Sequence, residues 1–314
     1  MKKPLVILTG PTAVGKTALS IKLAKRIGGE IISADSMQVY RRMDIGSAKI
    51  TPQEMDGVPH YLIDVLDPQE EFNVVTFQQM AAEAMDRIYA AGHIPIIVGG
   101  TGFYIQAILN DISFTETETD PSYRQELEKQ AAEQGAQYLH ERLREVDPGA
   151  AEEIHPNNVK RVIRALEFYH ETGTRISDHN EEQRQKQSPY NFAYFVLDMD
   201  RQKLYDRIEL RIDQMLQQGL LEEVEKLRQE GCHEGMVSMQ GLGYKEILAY
   251  LQGKCTLEEA VYILKRDTRH FAKRQLTWFR REREVCWIRK EDYGYDEEQM
   301  LGAMLQILHE KDII

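Results

Sequence analysis

The stretch "ILTGPTAVGKTALS", residues 7–20, decides the fold. Within it, Gly10-Pro11-Thr12-Ala13-Val14-Gly15-Lys16-Thr17 satisfies the phosphate-loop pattern G-x-x-x-x-G-K-[ST]. An apolar run, "PLVILTG", precedes the loop and a helical pattern, "KTALSIKLAKRIG", follows it, which is the context the motif requires. Glycines let backbone N–H groups turn inward around phosphate oxygens, Lys16 adds positive charge, and Thr17 offers its hydroxyl to Mg²⁺. The pattern predicts a bound di- or triphosphate, ATP included. It does not say whether that phosphate is transferred, hydrolysed or released.

Outward from the loop, short β-branched runs alternate with helical patterns, as in a parallel α/β sheet. "GGEIISADS" reads as a second strand that delivers Asp35 and Ser36 to its carboxyl end, "HYLIDVLDP" as a third, and "HIPIIVGGTG" as a fourth ending in its own glycine turn. Ligands of such sheets sit at the carboxyl ends of the strands, so Gly10 to Thr17, Asp35 and Thr101 should converge. After "LNDISFT" the composition turns polar and acidic, with Asp120 as an expected N-cap and Pro121 in the first helical position. Strand character returns at "NFAYFVLDMD". One long helical pattern then runs through "LYDRIELRIDQMLQQGLLEEVEKLRQEG", and another from about Thr256 to Arg281. The predicted fold is α/β: a P-loop NTPase-like parallel sheet flanked by helices, residues 1–115 and 191–314, with an inserted all-helical domain, residues 116–190.

Hydrophobic residues make up 42% of the 314, and no apolar run approaches the roughly 20 residues of a membrane span. "MKKPLVILTG" runs into the first strand without a signal-peptide cleavage pattern, so a cytoplasmic location is expected. Cys232, Cys255 and Cys286 are scattered without metal-ligand spacing. A net charge of −12 argues against a nucleic-acid partner only on average. The tract "KRDTRHFAKRQLTWFRRER", Lys265 to Arg283, is strongly basic, and a basic stripe on an acidic protein suits a polyanion.

Asp35 reads either as a turn or capping residue or, because it ends a strand facing a phosphate site, as a general base or acceptor-binding group; its position favours the second reading. Thr101, in the turn Gly99-Gly100-Thr101-Gly102, either serves a tight connection or reaches the substrate phosphates. In "HPNNVKRVIRALEFYHETG", Val159, Val162, Ile163 and Leu166 form an apolar stripe, leaving Lys160, Arg161 and Arg164 on the opposite face as solvated charges or phosphate contacts. In the basic tract, Leu257, Val261, Leu264, Phe271 and Phe279 are expected on the buried side and Arg266, Arg269, Lys273 and Arg280 opposite them.

Six ordered segments, "GPTAVGKT", "SADSMQVYRRMDIGSAK", "VGGTGFY", "HPNNVKRVIRALE", "QGLGYKE" and "AKRQLTWFR", together resemble the bacterial tRNA dimethylallyltransferase (tRNA isopentenyltransferase) family, from residue 5 to about 290. The resemblance implies that the loop holds the diphosphate of dimethylallyl diphosphate and that the prenyl group passes to N6 of the adenine on the 3′ side of the tRNA anticodon. It assigns catalysis to Asp35, Thr101 and Arg211: Asp35 takes the amine proton, Thr101 contacts the bridging region of the diphosphate, and Arg211 holds the leaving group. It assigns tRNA contacts to Asp35, Ser36, Met37, Gln38, Thr101, Arg124, Lys160, Arg161, Val162, Ile163 and Arg164. A second group, Gln240, Gly241, Leu242, Gly243, Tyr244 and Lys245, completes that surface. The insertion would close over the anticodon stem-loop, with Mg²⁺ as cofactor and no obligate protein partner. A small-molecule kinase, an enzyme prenylating free AMP and a non-catalytic nucleotide-gated RNA-binding module are the alternatives. The first two leave the basic helix faces unexplained, and intact Asp35, Thr101 and Arg211 weigh against the third.

Overall fold

The computed structural model describes residues 2–114 and 121–314; the expected N-cap Asp120 lies outside the described residues. The chain divides into two compact units, residues 1–109 with 189–314 and residues 110–188. The first unit opens with β1 (Lys3–Thr9), α1 (Lys16–Ile27), β2 (Gly29–Ala34), α2 (Pro52–Met55), β3 (His60–Tyr61), α3 (Val74–Ala90), β4 (Ile94–Gly99) and α4 (Gly102–Leu109). The second unit holds α5 (Pro121–Gln134), α6 (Ala136–Val146), α7 (Pro148–Glu153), α8 (Val159–Thr172) and α9 (Ile176–Gln185). Back in the first unit follow β5 (Tyr190–Asp198), α10 (Arg201–Gln217), α11 (Leu220–Gln229), α12 (Tyr244–Leu251), α13 (Leu257–Phe279), β6 (Val285–Arg289) and α14 (Glu297–Glu310).

The strands form one parallel sheet in the order β3-β2-β4-β1-β5-β6. β2 is buried along its whole length and β1 from Leu5 onward. Both faces of such strands are covered, which is why they read as apolar runs and not as alternating patterns. Register fixes the site: Thr9 lies opposite Gly99 and Val196, and Ala34 also lies opposite Gly99. The loops after β1, β2 and β4 therefore leave the sheet at one level. None of the described helices is long and apolar enough to cross a membrane.

Several expectations need correction. The third strand shrinks to His60–Tyr61 because Leu62 and Asp64 take left-handed backbone angles, φ 62° and 55°, that end it. The long helical pattern breaks at Gly219, whose φ of 102° separates α10 from α11. β6, a strand of 5 residues directly after the basic tract, has no counterpart among the expected strands. The second unit spans residues 110–188, where the insertion was expected at 116–190. Its own core gathers Leu127, Leu139, Leu143, Val162, Ile163 and Leu166. Asp147 ties α7 to α9, its Oδ1 accepting from the Ala150 amide at 2.9 Å and from Ser177 Oγ at 2.6 Å.

Candidate active site

The loop from Gly10 to Thr17 leaves β1 and enters α1 through residues in the left-handed region, Ala13 at φ 63° and Gly15 at φ 95°. Lys16 Nζ donates to Gly10 O and Pro11 O, both at 3.0 Å, which holds the ammonium over the loop. Burial is the main cause that lowers its pKa to about 8; the Arg211 charge adds to the fall and Asp35 opposes it. Lys16, Arg211 and Asp35 thus share one electrostatic environment. Arg211 makes no hydrogen bond or ion pair among the described residues. Burial lowers it from its usual range, Asp35 pulls the other way and Arg207 adds to the fall, yet a guanidinium stays charged.

Asp35 follows β2 directly. Its Oδ1 accepts the Met37 amide at 2.8 Å and, at the longer distance of 3.4 Å, the Gln38 amide, while Oδ2 accepts no hydrogen bond among the described residues. The turn accounts for Oδ1 alone and leaves Oδ2 open to a ligand. Ser36 stands half-buried in the same turn. Gln38 is anchored through Nε2 to Ala48 O at 3.2 Å.

Thr101 caps the start of α4: its carbonyl accepts from Tyr104 N at 3.0 Å and Ile105 N at 3.2 Å, and its amide donates to Ala34 O at 3.3 Å. The flanking glycines are required by close approach. A methyl group on Gly99 would stand 2.2 Å from Ala34 O, on Gly100 2.2 Å from Gln275 Nε2, and on Gly102 2.3 Å from the Trp278 ring. Gln275, on α13 and 6% exposed, is a residue the sequence reading missed. Its Oε1 accepts the Thr12 amide at 2.9 Å and its Nε2 donates to Gly100 O at 2.9 Å, so one side chain joins the phosphate loop to the Thr101 turn. It stands inside the segment "AKRQLTWFR", between the cations Arg274 and Arg280.

The turn after Asp35 is fixed from α11. Glu223 Oε2 accepts the amides of Asp44 at 2.9 Å and Ile45 at 2.7 Å; Oε1 accepts Gly46 N at 3.1 Å and Tyr244 OH at 2.8 Å. Tyr244 OH in turn accepts the Ser47 amide at 3.2 Å. Tyr244 is fully buried, so its side chain serves the scaffold and does not present itself to a ligand. Gly241 and Gly243 are also buried, Leu242 is half-buried, and Gln240 and Lys245 are exposed.

On α8 of the insertion, Lys160, Arg161 and Arg164 are exposed and form no ion pair among the described residues. Val162 (0% exposed) and Ile163 (4%) belong to the core, so side-chain contact with tRNA is corrected there: the helical period that exposes the cations buries these two. Arg124 is also committed elsewhere, since its Nε and Nη2 each donate to the carboxylate of Glu167 at 2.7 Å. In α13 the basic tract is narrower than its sequence suggests. Lys265 pairs with Asp213 at 2.6 Å, Arg266 with Asp267 at 2.8 Å and Arg269 with Glu209 at 2.5 Å, leaving Lys273, Arg274 and Arg280 exposed beyond them.

Comparison with known proteins matches residues 38–282 to the IPP transferase family model. The chain belongs to the IPP transferase family. The matched span begins after the phosphate loop, so the loop and the family match are independent observations. The chain is 64% identical to the tRNA dimethylallyltransferase of Lachnoclostridium phytofermentans over 99% of both chains. It is 53% identical to that of Acetivibrio thermocellus over 93% of this chain and 94% of the relative. Among solved structures, the full-length tRNA isopentenylpyrophosphate transferase of Bacillus halodurans superposes with a TM-score of 0.74 at 46% identity, covering 99% of this chain and 98% of the other. A eukaryotic dimethylallyltransferase acting on tRNA gives 0.78 at 31% identity, over 91% of this chain and 74% of the other.

Proposed function

We propose that the protein transfers the dimethylallyl group of dimethylallyl diphosphate to N6 of the adenine 3′-adjacent to the anticodon of tRNA, releasing pyrophosphate. The observation that carries this reading is the grouping of the Asp35 carboxylate with Lys16 and Arg211 at the phosphate loop, which puts a proton acceptor beside an anion clamp. The reaction needs both. An exocyclic adenine amine is a poor nucleophile because its lone pair is delocalised into the ring. As N6 bonds to C1 of the prenyl group, Asp35 Oδ2 takes the amine proton. The C1–O bond breaks in the same event and its electron pair leaves with pyrophosphate. Lys16, Arg211 and the loop amides meet that growing charge with donors already in place. Thr101 stands at the turn that Gln275 fastens to the loop, suited to contact the diphosphate.

The donor set fits Mg²⁺. Thr17 is exposed in the first turn of α1 with no hydrogen bond to its hydroxyl among the described residues, and no group of three or more acidic, His or Cys side chains is placed to hold a metal among them. Magnesium keeps several waters and takes substrate phosphate oxygens, and in a phosphate loop the Ser or Thr hydroxyl adds a ligand to that shell. When bound, the ion would neutralise part of the diphosphate charge.

The tRNA is gripped, in this reading, through Lys160, Arg161 and Arg164 on the insertion and through Lys273, Arg274 and Arg280 on α13. The acceptor base, stacked in a loop, must be drawn into a pocket before its amine can reach C1. Incubation with labelled dimethylallyl diphosphate, Mg²⁺ and either unmodified tRNA or AMP tests the proposal. Label is expected on tRNA and not on AMP; equal labelling of AMP, or stoichiometric ADP formation from added ATP, would contradict it.

A further inference from the structure

Thr9 pairs with Val196, which pairs with Trp287, so β6 ends on the same edge of the sheet as β1. Lys290 follows β6 directly and its side chain reaches the phosphate loop. A methyl group on Gly15 would stand 2.9 Å from Lys290 Nζ and 3.8 Å from the Arg207 guanidinium. Arg207 is fixed there by a hydrogen bond from its Nε to Ala13 O at 2.9 Å. Lys290 is 7% exposed, and its ammonium makes no hydrogen bond or ion pair among the described residues. The acids whose charges act on it are engaged elsewhere. Glu297 receives Lys22 Nζ at 2.9 Å, and Glu291 accepts from Tyr295 OH at 2.6 Å and from the Asp200 amide.

Burial lowers the Lys290 pKa, and the charge of Arg207 lowers it further. Holding a desolvated ammonium near the Arg207 guanidinium is unfavourable, and the charges of Glu297 and Glu291 oppose that only in part, since neither makes a hydrogen bond or ion pair with Lys290 among the described residues. Such an arrangement belongs where an anion is to be bound. We propose that Lys290, together with Arg207, is a further contact of the prenyl donor's diphosphate and of the pyrophosphate that leaves, on the Gly15 side of the loop. This rests on the reading that the diphosphate occupies the loop from Gly10 to Thr17.

The test is calorimetric titration of the full chain with inorganic pyrophosphate and Mg²⁺, comparing the parent with Lys290→Met, which keeps most of the packing volume. Loss of one charge-assisted contact should raise the pyrophosphate Kd about 10- to 100-fold and leave tRNA affinity unchanged. A Kd within twofold of the parent in a folded Lys290→Met protein would overturn the proposal. If that variant does not fold, the parent decides. Saturating pyrophosphate should slow acetylation of Lys290, read by peptide mass spectrometry, and leave the exposed Lys203 unchanged; equal rates with and without pyrophosphate overturn it. No pyrophosphate binding by the parent would remove both this proposal and the reading of the loop beneath it.

Discussion

The two oxygens of Asp35 differ: Oδ1 is occupied by the turn amides and Oδ2 has no hydrogen bond among the described residues, which leaves it open for the amine proton in the proposed reaction. Asp35→Asn can keep the turn through its side-chain oxygen and lose the base. It is expected to bind tRNA nearly as the parent does and to lose on the order of 10²- to 10⁴-fold in turnover; near-normal single-turnover rates would remove Asp35 from the mechanism. Lys16 gives a pH test. Its pKa of about 8 lies below its ordinary value, so the free protein carries the ammonium fully only below pH 8 and loses it as pH rises. Binding of dimethylallyl diphosphate should be flat below that point and weaken above it, approaching tenfold per pH unit where the charged form is required. Lys16→Arg, whose charge persists, should bind more weakly overall but lose the break. Titrations from pH 7 to 10 check the sign. Gln275→Leu leaves the Thr12 amide and the Gly100 carbonyl without their partner and should cost about 10- to 100-fold in kcat/KM for the donor through misplacement of the loop and turn. Asp35 and the loop were legible in sequence because strand, glycine turn and polar residue are contiguous. Gln275 was not, since it lies 263 positions from the amide that it binds.

α8 and α13 both expose cations, but α13 has part of its charge paired with acids. The α8 face was legible because one amphipathic period separates core from cations. The α13 face was legible only in part. A count of Lys and Arg cannot see that Asp213 and Glu209, on α10, neutralise Lys265 and Arg269. The strand and helix ends that went astray share this cause: left-handed backbone at Leu62, Asp64 and Gly219 interrupts patterns that look continuous by residue type. Replacing Lys160, Arg161 and Arg164 together with alanine should weaken tRNA binding and flatten its salt dependence, each lost phosphate contact removing a slope of about 0.7 on single-stranded nucleic acid. Dimethylallyl diphosphate affinity should stay close to the parent's, because none of the three belongs to the unit that contains the phosphate loop. An unchanged salt slope in filter-binding assays would show that the α8 face does not grip RNA phosphates.

For the whole molecule, a net charge of −12 sits beside local cationic faces, so the proposed RNA binding would rest on placement and not on average charge. The same separation holds for the fold. A parallel sheet with a phosphate loop is best known for moving phosphoryl groups, yet a fold does not fix the bond that is cut. Here the residues around the loop suit the departure of an intact diphosphate from carbon. Dimethylallyl diphosphate carrying ¹⁸O in the oxygen that bridges C1 and the first phosphorus, incubated with tRNA and Mg²⁺, tests that chemistry most directly. Cleavage of the carbon–oxygen bond predicts that all of the ¹⁸O appears in released pyrophosphate while the prenyl group appears on adenine N6. Recovery of the ¹⁸O in dimethylallyl alcohol, from phosphorus–oxygen cleavage, would contradict it.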